Sequence, residues 1–550
     1  MSVTLKLLSA MEKPFLDDSM ERFSPLTHAS ALRGEDYHFL LAISCEGDPL
    51  RCEGGALRCY SPLPVTFEMV GHIPVRYPCF PDFYDDHYLK TTPGQYPDLL
   101  TPIKVGDWVK VPGGHLYSIF ATVHISEDTP AGDYTISVGL APSSEEELLL
   151  NLPLHIVDAL LPEQTISVTQ WVHYDCIADA HGLDVFSEDH WRAIEAYLKT
   201  AVEHGINTIL TPVLTPPLDT AVGGERPTVQ LVDIEKRGDT YFFGYEKLRR
   251  FVALCEQLGV QKYEICHLFT QWGAYHAPKV MAMVDGEYTR IFGWETDSAS
   301  PAYITFLRAF LTSLLQEIHA LGIQDRVLFH ISDEPNEEQR GQYQKVKNAI
   351  ADILEGYPIY DAISDFSFYQ EGVADHPIPA TNAITPFLDA GVKDLWTYYC
   401  CGQAREVSNR FIAMSLARTR IIGMQLWKYQ IKGFLHWGYN FYYTQFSKRK
   451  INPYLITDGD FFAPAGDAFS VYPAPGGTPY RSLRLVAFAD GLCDMRALAL
   501  AESFCGREKV LSTLEKFGTL TFSDYPRASE TLLAMRDAIH ALIEDYSSAR

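Results

Sequence analysis

Basic residues are scarce in this chain of 550 residues, which has 45 Lys and Arg against 70 Asp and Glu and a formal net charge of −25 at pH 7. Proteins that bind nucleic acid or anionic membranes need a basic surface, because their affinity depends on neutralising phosphates. The most basic run, residues 447–450, is short and is interpreted as a solvated loop. The charge balance therefore predicts no nucleic-acid partner and no membrane partner.

Long apolar runs and the common metal or phosphate motifs are also missing from the sequence. No window of about 18 residues is apolar and free of charge, so we expect no membrane-spanning helix. The sequence has no Gly-rich phosphate loop, no dinucleotide fingerprint and no zinc-ligand spacing. It therefore predicts neither a metal site nor a cofactor.

The 11 cysteines are odd in number and form no CxxC pair. The N-terminal residues lack the charged-then-apolar pattern of a secretory signal, and a disulfide framework is unusual in so long a chain. We expect reduced, mostly buried thiols and a cytoplasmic location. The adjacent Cys400 and Cys401 are not expected to be a redox or metal motif, because neighbouring cysteines form a disulfide only under strain.

Aromatic residues are plentiful: 31 Tyr, 30 Phe and 8 Trp make up 13% of the chain. Aromatic rings can stack on the apolar faces of sugars, while carboxylates accept hydrogen bonds from sugar hydroxyls. An acidic chain rich in aromatic residues is therefore typical of carbohydrate-binding proteins.

Two patterns divide the chain. Residues 1–160 alternate apolar and polar positions in short stretches that end at Pro and Gly turns, which predicts an antiparallel β-sandwich. Residues 161–550 alternate short apolar runs with helical stretches, which predicts parallel βαβ units. The expected fold is α/β with an all-β N-terminal domain: a β-sandwich, then a (β/α)8 TIM-like barrel with a C-terminal helical extension packed on it.

The predicted barrel strands and helices follow from this alternation. The strands are Ile166–His173, Asn207–Val213, Tyr263–Phe269, Val327–Asp333, Pro358–Ser364, His376–Ala380, Leu395–Cys401 and Phe434–Tyr439. The helices are 188–204, 245–259, 302–321, 336–355, 382–390 and 408–430, with 480–500 and 526–547 as the extension. Barrel enzymes place their chemistry at the carboxyl ends of the strands.

The predicted strand ends carry polar and aromatic side chains, whereas the strand bodies are aliphatic. Core packing does not explain this arrangement, and it indicates a carbohydrate site. The residues at the ends are Trp171, His173, Asp175, Thr211, His267, Gln271, Trp272, Asp333, Glu334, Asp361, Asp365, Trp396, Tyr398, Trp437 and Asn440.

The most informative string places two consecutive acids, Asp333 and Glu334, between a buried strand and Pro335. The proline should force Glu334 into an extended conformation and end the strand. The acids could instead cap the amino end of the following helix. Their place at the end of a barrel strand favours a catalytic role.

Adjacent acids suit a particular kind of glycoside hydrolysis. Ordinary retaining glycosidases hold two carboxyl groups about 5 Å apart, usually on different strands. In the substrate-assisted route, the 2-acetamido oxygen of the sugar attacks the anomeric carbon instead. Asp333 would then accept a hydrogen bond from the acetamide N–H, and Glu334 would protonate the leaving oxygen. The neighbouring charge should raise the pKa of Glu334.

The segment 330–335 resembles glycoside hydrolase family 123 and related proteins that carry a C-terminal domain of unknown function. The similarity extends over most of the chain, through 394–402, 426–440, 466–467, 471–473 and 481–485. The resemblance implies a retaining β-N-acetylgalactosaminidase in which Asp333 orients the acetamide and Glu334 is the general acid/base. It also implies that Tyr398 bonds the acetamido oxygen and that Trp437 supports the sugar ring.

Further substrate-binding candidates come from the strand ends: His173, Gln271, Trp272, Trp396, Asn440 and Asp365. His173 could equally be a neutral histidine bonded inside the barrel, and Asp361 and Asp365 could cap a helix. Glu225, Arg226 and Gln230 lie in the long loop after the second strand, where they could complete a subsite, although a surface pair of Glu225 and Arg226 is the default expectation. Two alternatives stay open, namely a glycosidase of the same fold acting on sugars without an acetamido group, and a non-catalytic carbohydrate-binding protein.

Overall fold

The computed structural model describes residues 3–48, 50–142 and 146–547. Its N-terminal region consists of ten strands. They are β1 (Val3–Ser9), β2 (Ala29–Arg33), β3 (Tyr37–Cys45), β4 (Cys52–Tyr60), β5 (Val65–Val75), β6 (Gly94–Ile103), β7 (Trp108–Pro112), β8 (Leu116–Val123), β9 (Gly132–Ala141) and β10 (Leu148–Leu160).

These strands form two five-stranded sheets, ordered β1-β3-β8-β5-β6 and β2-β10-β9-β4-β7. All neighbours are antiparallel except β2 and β10. Buried residues alternate with accessible ones in the middle of β10, at Leu152, Leu154 and Ile156. They share one hydrophobic core with Phe39 and Leu41 of the other sheet, as period-two alternation predicts.

Strands and helices alternate after residue 166. In chain order they are β11 (Ser167–Gln170), α1 (Tyr174–His181), α2 (Glu188–Glu203), β12 (Thr208–Thr211), β13 (Asp233–Arg237), β14 (Thr240–Gly244), α3 (Glu246–Leu258), β15 (Lys262–Ile265), β16 (Val280–Val284), β17 (Glu287–Phe292), α4 (Pro301–Ala320), β18 (Val327–Phe329), α5 (Arg340–Asn348), β19 (Tyr360–Ala362), α6 (Ser367–Gln370), β20 (His376–Ile378), α7 (Thr385–Asp389), β21 (Trp396–Tyr398), α8 (Leu416–Arg420), α9 (Ile422–Lys428), β22 (Gly433–His436), β23 (Val471–Pro473), β24 (Pro479–Arg481), α10 (Leu483–Cys505), α11 (Arg507–Leu514) and α12 (Ser529–Ser547).

Each of the eight apolar runs predicted as a barrel strand contains a parallel strand. The ladders are β11-β22-β21, β12-β15-β18 and β19-β20. Single parallel bridges join Phe329 to Ile359 and Ala380 to Tyr398. Between β11 and β12 the described residues form no ladder, although the backbone N–H of Asn207 donates to the Val168 carbonyl at 3.1 Å. The mixed α/β class is confirmed, whereas closure into a barrel stays a prediction.

Several elements differ from the sequence prediction. The helix predicted over 336–355 is observed only as α5, and the stretch 408–430 contains two short helices, α8 and α9. Before α8, the chain buries polar residues such as Asn409 and Arg410 in non-helical structure. The sheet β14-β13-β16-β17, inserted after β12 and β15, was missed because its strands are largely charged or exposed.

The C-terminal helices contact both regions of the chain. The predicted extension is present as α10 and α12, but α12 packs on the N-terminal sheet as well as on α10. Arg536 of α12 binds Glu35, and Asp537 accepts a hydrogen bond from the Ser30 hydroxyl at 2.9 Å. The N-terminal sheet is a contact that the sequence did not predict, and it forms because α12 bears charged side chains that pair with β2 and its flanking turn.

A buried ion pair joins the N-terminal sheet to the C-terminal part of the chain. The Arg484 guanidinium donates to both carboxylate oxygens of Asp98, at 2.8 and 2.9 Å, and the Tyr472 hydroxyl adds a third bond at 2.6 Å. The Arg484 and Asp98 side chains are fully buried. These contacts cross the domain boundary predicted at residue 160, and that boundary stays a prediction.

None of the described helices combines the length and apolar character needed to cross a membrane.

We expect Asp98→Asn to lower the free energy of unfolding by about 3–5 kcal/mol, the usual cost of leaving a buried charge without its partner. Urea unfolding would measure the loss. Asp128→Asn is the matched control, because Asp128 is exposed and should change stability by less than about 0.5 kcal/mol. Equal effects of the two substitutions would contradict the assigned role of the pair.

Candidate active site

A cleft lies at the carboxyl ends of the parallel strands. Six of the ten predicted site residues line it: Asp333, Glu334, Tyr398, Trp437, Gln271 and Trp272. The other lining residues are Trp171, Leu218, Asp219, Ala362, Cys400, Cys401, Leu435 and Phe462.

The two adjacent acids follow β18 in a strained turn. Glu334 has a φ of 41°, in the left-handed region, so the predicted extended conformation is wrong. The Trp272 amide donates to the Asp333 carbonyl at 2.8 Å and fixes the turn from the neighbouring loop. Asn336, not either acid, caps the following helical turn through reciprocal bonds with Gln339. Helix capping therefore does not account for the pair.

Tyr398 connects the end of β21 to Glu334. Its hydroxyl donates to the Glu334 Oε1 atom at 2.6 Å. Glu334 reaches solvent at the mouth of the cleft, but burial by the surrounding protein still raises the pKa of its carboxyl group. The Tyr398 bond lowers that pKa, and the charge of Asp467 raises it again. The Tyr398 hydroxyl is thus engaged by the acid in this structure.

Asp333 lies above a buried histidine. Burial and the charge of Glu334 raise the pKa of Asp333 well above its usual range, while His330 lowers it. His330 Nε2 lies 2.5 Å from Glu264 Oε1, and its Nδ1 lies 3.2 Å from Asp361 Oδ1. Burial lowers the pKa of His330, but the two carboxylates raise it to about 10. The His330 ring is therefore a buried cation close to Asp333 and Glu334.

The two carboxylates that bond His330 also accept hydrogen bonds from residues in or next to the neighbouring strands. Asp361 accepts hydrogen bonds from the Ile331 amide at 3.0 Å and from the Tyr343 hydroxyl at 2.7 Å. Glu264 accepts bonds from the Thr169 hydroxyl at 2.5 Å and from the Trp171 indole at 2.8 Å. Asp361 therefore positions the chain ahead of Asp333 and does not line the cleft. Glu264, a charged residue inside an apolar run, was the signal that sequence reasoning missed.

One group of side chains has the spacing of a metal site. The ligand atoms of His267, His330 and Asp361 lie within 4.8 Å of one another. The two imidazole rings are stacked with centroids 4.5 Å apart, so their nitrogens do not converge on a common point. Protonated His330 uses both of its nitrogens as donors. This arrangement does not suit a metal ion.

His173 and Asn440 lie behind Trp437. The Trp437 indole donates to Asp467 Oδ2 at 2.9 Å, and its carbonyl accepts a bond from His173 Nε2 at 2.9 Å. The Asn440 side chain accepts a hydrogen bond from the His173 backbone amide at 2.8 Å and donates one to the His173 carbonyl at 3.1 Å. Burial and the charge of Arg226 lower the pKa of His173 to about 3, so the ring is neutral. Neither side chain lines the cleft; both support Trp437 from behind.

Trp396 and Asp365 also lie away from the cleft. The Trp396 ring is buried against Tyr360 at 4.5 Å. It shares a strand face with Tyr398 but lies about two residues, or about 7 Å, deeper. Asp365 Oδ1 accepts the Ser367 amide at 2.9 Å at the start of α6. Neither residue lines the cleft: Trp396 is buried in the core, and Asp365 bonds the first residue of α6.

The loops after β12 and β15 form another part of the wall. The Gln271 Nε2 atom donates to the Thr220 carbonyl at 3.1 Å. Trp272 is 40% exposed, and its ring meets Phe446 edge to face at 5.5 Å. Asp219, which sequence reasoning missed, accepts the Phe446 amide at 3.1 Å, and burial raises its pKa to about 6.

Arg226 does not lie on the surface as expected. Its guanidinium is buried and donates to both oxygens of Asp175 at 2.7 Å. It also donates to the Leu218 carbonyl at 3.0 Å and approaches His173 Nδ1 at 3.2 Å. The Asp175–Arg226 pair thus fixes the loop that carries Asp219, whereas Glu225 binds Lys279 and Arg290.

The chain matches one family model and is similar to several solved structures. The family model for the catalytic domain of glycoside hydrolase 123 matches residues 171–501. A family 123 glycoside hydrolase from Clostridium perfringens, solved in a study of glycolipid glycan hydrolysis, has a TM-score of 0.74 at 14% identity, over 100% of this chain and 98% of that chain. At this identity the likeness concerns the fold.

A second solved structure is much less similar. A xyloglucanase of family 5 from Bacteroides ovatus, in complex with a heptasaccharide, covers 89% of this chain and 100% of its own at 9% identity. Its TM-score of 0.28 is too low to support an argument. No curated protein matches the chain.

We expect Tyr398→Phe to raise the pKa of Glu334, because the lost hydroxyl donates to the carboxylate and stabilises its charged form. Infrared titration of the carboxyl band would detect the change, with the same variant carrying Glu334→Gln subtracted to isolate the signal. Tyr399→Phe is the control, since the buried Tyr399 hydroxyl has no partner among the described residues. An unchanged or lower midpoint in Tyr398→Phe would refute the assigned bond.

Proposed function

The chain belongs to glycoside hydrolase family 123, and from that premise we propose that it is a retaining enzyme for β-linked N-acetylhexosaminides, above all β-N-acetylgalactosaminides. The observation that carries the proposal is the adjacent pair Asp333 and Glu334 at the cleft, each with a raised pKa. The 2-acetamido group of the substrate would supply the nucleophile, so no enzyme nucleophile is needed.

Glu334 is proposed as the general acid and base. A general acid must hold a proton at the working pH, and burial raises the pKa of Glu334 in that direction. Its carboxyl group would protonate the glycosidic oxygen and then remove a proton from the water that opens the oxazolinium intermediate. The hydroxyl of Tyr398, bonded to Oε1 at 2.6 Å, fixes the direction in which the other oxygen points.

Asp333 is proposed to accept a hydrogen bond from the acetamide N–H and to stabilise the oxazolinium charge. The half-buried ring of Trp437 is held by Asp467 at 2.9 Å and offers the sugar an apolar surface. Trp272 and Gln271 are proposed to contact the substrate from the other loops. The resemblance implies that Tyr398 bonds the acetamido oxygen, and its single O–H proton would then turn from Glu334 Oε1 to that oxygen.

A cytoplasmic location is proposed alongside this activity. All 11 cysteines are free thiols in the structure, which fits a reducing compartment.

A second candidate is favoured by Asp219, a further carboxylate in the same cleft that comes from a different strand end. Asp219 and Glu334 could act together on sugars that lack an acetamido group, as two acids from separate strands do in ordinary glycosidases. In that reaction Asp219→Asn would abolish turnover of every substrate. In the substrate-assisted reaction it would leave measurable turnover.

We expect Glu334→Gln to lower kcat by at least about 10²-fold on aryl β-N-acetylgalactosaminides, which is the usual contribution of general acid–base catalysis. Steady-state release of nitrophenol would measure it. Glu337→Gln is the matched control, because Glu337 is exposed and lies three residues away outside the cleft. Near-native turnover in Glu334→Gln would rule out the assignment of Glu334, whereas no turnover by the native chain would leave the non-catalytic carbohydrate-binding alternative.

We expect Asp333→Asn to reduce turnover of acetamido sugars selectively, because only those substrates offer the N–H that Asp333 accepts. A panel of α and β aryl glycosides with and without the acetamido group, assayed with an oxazoline-mimicking inhibitor, would test this. Asp365→Asn serves as the control outside the cleft. Equal losses on a plain galactoside, with no inhibition by the oxazoline mimic, would favour the second candidate.

A further inference from the structure

The cleft contains an acceptor group that the proposed reaction does not use. Asp219 lines the same cavity as Asp333 and Glu334. Its Oδ2 atom accepts the Phe446 amide at 3.1 Å, but its Oδ1 atom receives no hydrogen bond from any residue that the structure describes. A carboxylate oxygen left open to a cleft is available to a ligand that donates hydrogen bonds.

The backbone at Asp219 is held in a conformation that an ordinary loop would avoid. Its φ is 41°, in the left-handed region that disfavours residues with a Cβ. The Ser447 hydroxyl donates to the Asp219 carbonyl at 2.6 Å, and Arg226 donates to the preceding carbonyl, that of Leu218, at 3.0 Å. Such strain persists only where the surroundings fix it, and it is concentrated at functional sites.

Gln271 provides an independent observation next to Asp219. Its side chain is only 4% exposed, and its Nε2 donates to the carbonyl of Thr220, the residue after Asp219, at 3.1 Å. Its Oε1 atom is buried and has no partner among the described residues. A buried amide oxygen without a donor is costly, and Gln271 also lines the cleft.

We propose that Asp219 Oδ1 and Gln271 Oε1 form a subsite that accepts hydrogen bonds from two neighbouring hydroxyls of a neutral pyranose. The inference rests on the proposed function, because Asp333 and Glu334 are then occupied by the acetamide and the glycosidic oxygen. The remaining hydroxyls of the ring must be recognised by other groups. Asp219 and Gln271 come from the loops after the paired strands β12 and β15, so one rigid unit carries both acceptors.

The charge of the cleft defines which sugars fit this subsite. Among the described lining residues there are three carboxyl groups and no Lys or Arg. An anionic sugar, such as a uronic acid or a sulfated hexosamine, would meet the Asp219 carboxylate with no Lys or Arg in the cleft wall to compensate. The subsite is therefore specific for uncharged, hydroxylated rings.

Calorimetric titration of the full chain with N-acetylgalactosamine and its 3-, 4- and 6-deoxy analogues tests the subsite without requiring turnover. In Asp219→Asn, the side-chain oxygen can still accept the Phe446 amide. The side-chain NH₂ group then replaces Oδ1, so a donor stands where the proposed subsite needs an acceptor. We expect it to weaken N-acetylgalactosamine binding about 10- to 100-fold, the range for a hydrogen bond to a charged group. One deoxy analogue should bind the native chain and the variant equally, because the contact is already absent.

Asp365→Asn is the control for a carboxylate outside the cleft, and thermal unfolding checks that both variants fold. Equal losses on every analogue, unchanged binding in Asp219→Asn, or no binding of any of these sugars by the native chain would overturn the subsite. Failure of the proposed function looks different. The deoxy pattern would then appear in calorimetry while no aryl glycoside is cleaved.

Discussion

The buried cation His330, held between Glu264 and Asp361, is the interaction on which the rest of the site depends. His330 directly follows β18, Glu264 and Asp361 lie in β15 and β19, and Glu264 also binds Trp171 just beyond β11. Four strand ends are therefore fixed to one charged ring. A buried charge is tolerated only when it is paired and hydrogen-bonded, and here each carboxylate has further donors from the protein.

The network of His330, Glu264 and Asp361 fixes the strands that carry the cleft residues, and so allows some of those residues to adopt strained backbone conformations. Glu334, Trp272 and Asp219 all have φ between 41° and 56°, a range that is costly for residues with a Cβ. Each is held by bonds from a neighbouring element, as in the donation from the Trp272 amide to the Asp333 carbonyl. The strain aims side chains into the cleft that a regular strand would direct to alternate faces.

The sequence was sufficient to locate Asp333, Glu334, Tyr398 and Trp437, because each stands at the end of a short apolar run or beside a proline. It was not sufficient for Trp396. Period-two alternation predicts which face of the strand a residue lies on, but not whether its position along the strand places it in the cleft or in the core below. Asp219 and the buried Arg226 belong to a loop whose path is decided by partners far away in the chain.

The same limit applies to the secondary structure. The alternation of apolar runs indicated the parallel strands, but the inserted sheet β14-β13-β16-β17 has too few buried positions to produce a clear pattern. The helix expected after Pro335 is shortened to α5, because Asn336 begins a separate helical turn. Local signals predicted the elements that bury a face, and missed those set by tertiary contacts.

The placement of one proton connects the acid pair to the choice of substrate. Burial raises the pKa of both acids, and the charge of Glu334 raises that of Asp333 further, so the two carboxyl groups share a proton. In the proposed reaction the acetamide N–H donates to Asp333 and stabilises its charged form. The proton then moves to Glu334, where the leaving oxygen needs it. A sugar without that N–H would not stabilise the charged form of Asp333, so the shared proton would be less available on Glu334. Selectivity for acetamido sugars would therefore arise from the coupled titration of two neighbouring carboxyl groups, in addition to any contact that the acetamide makes.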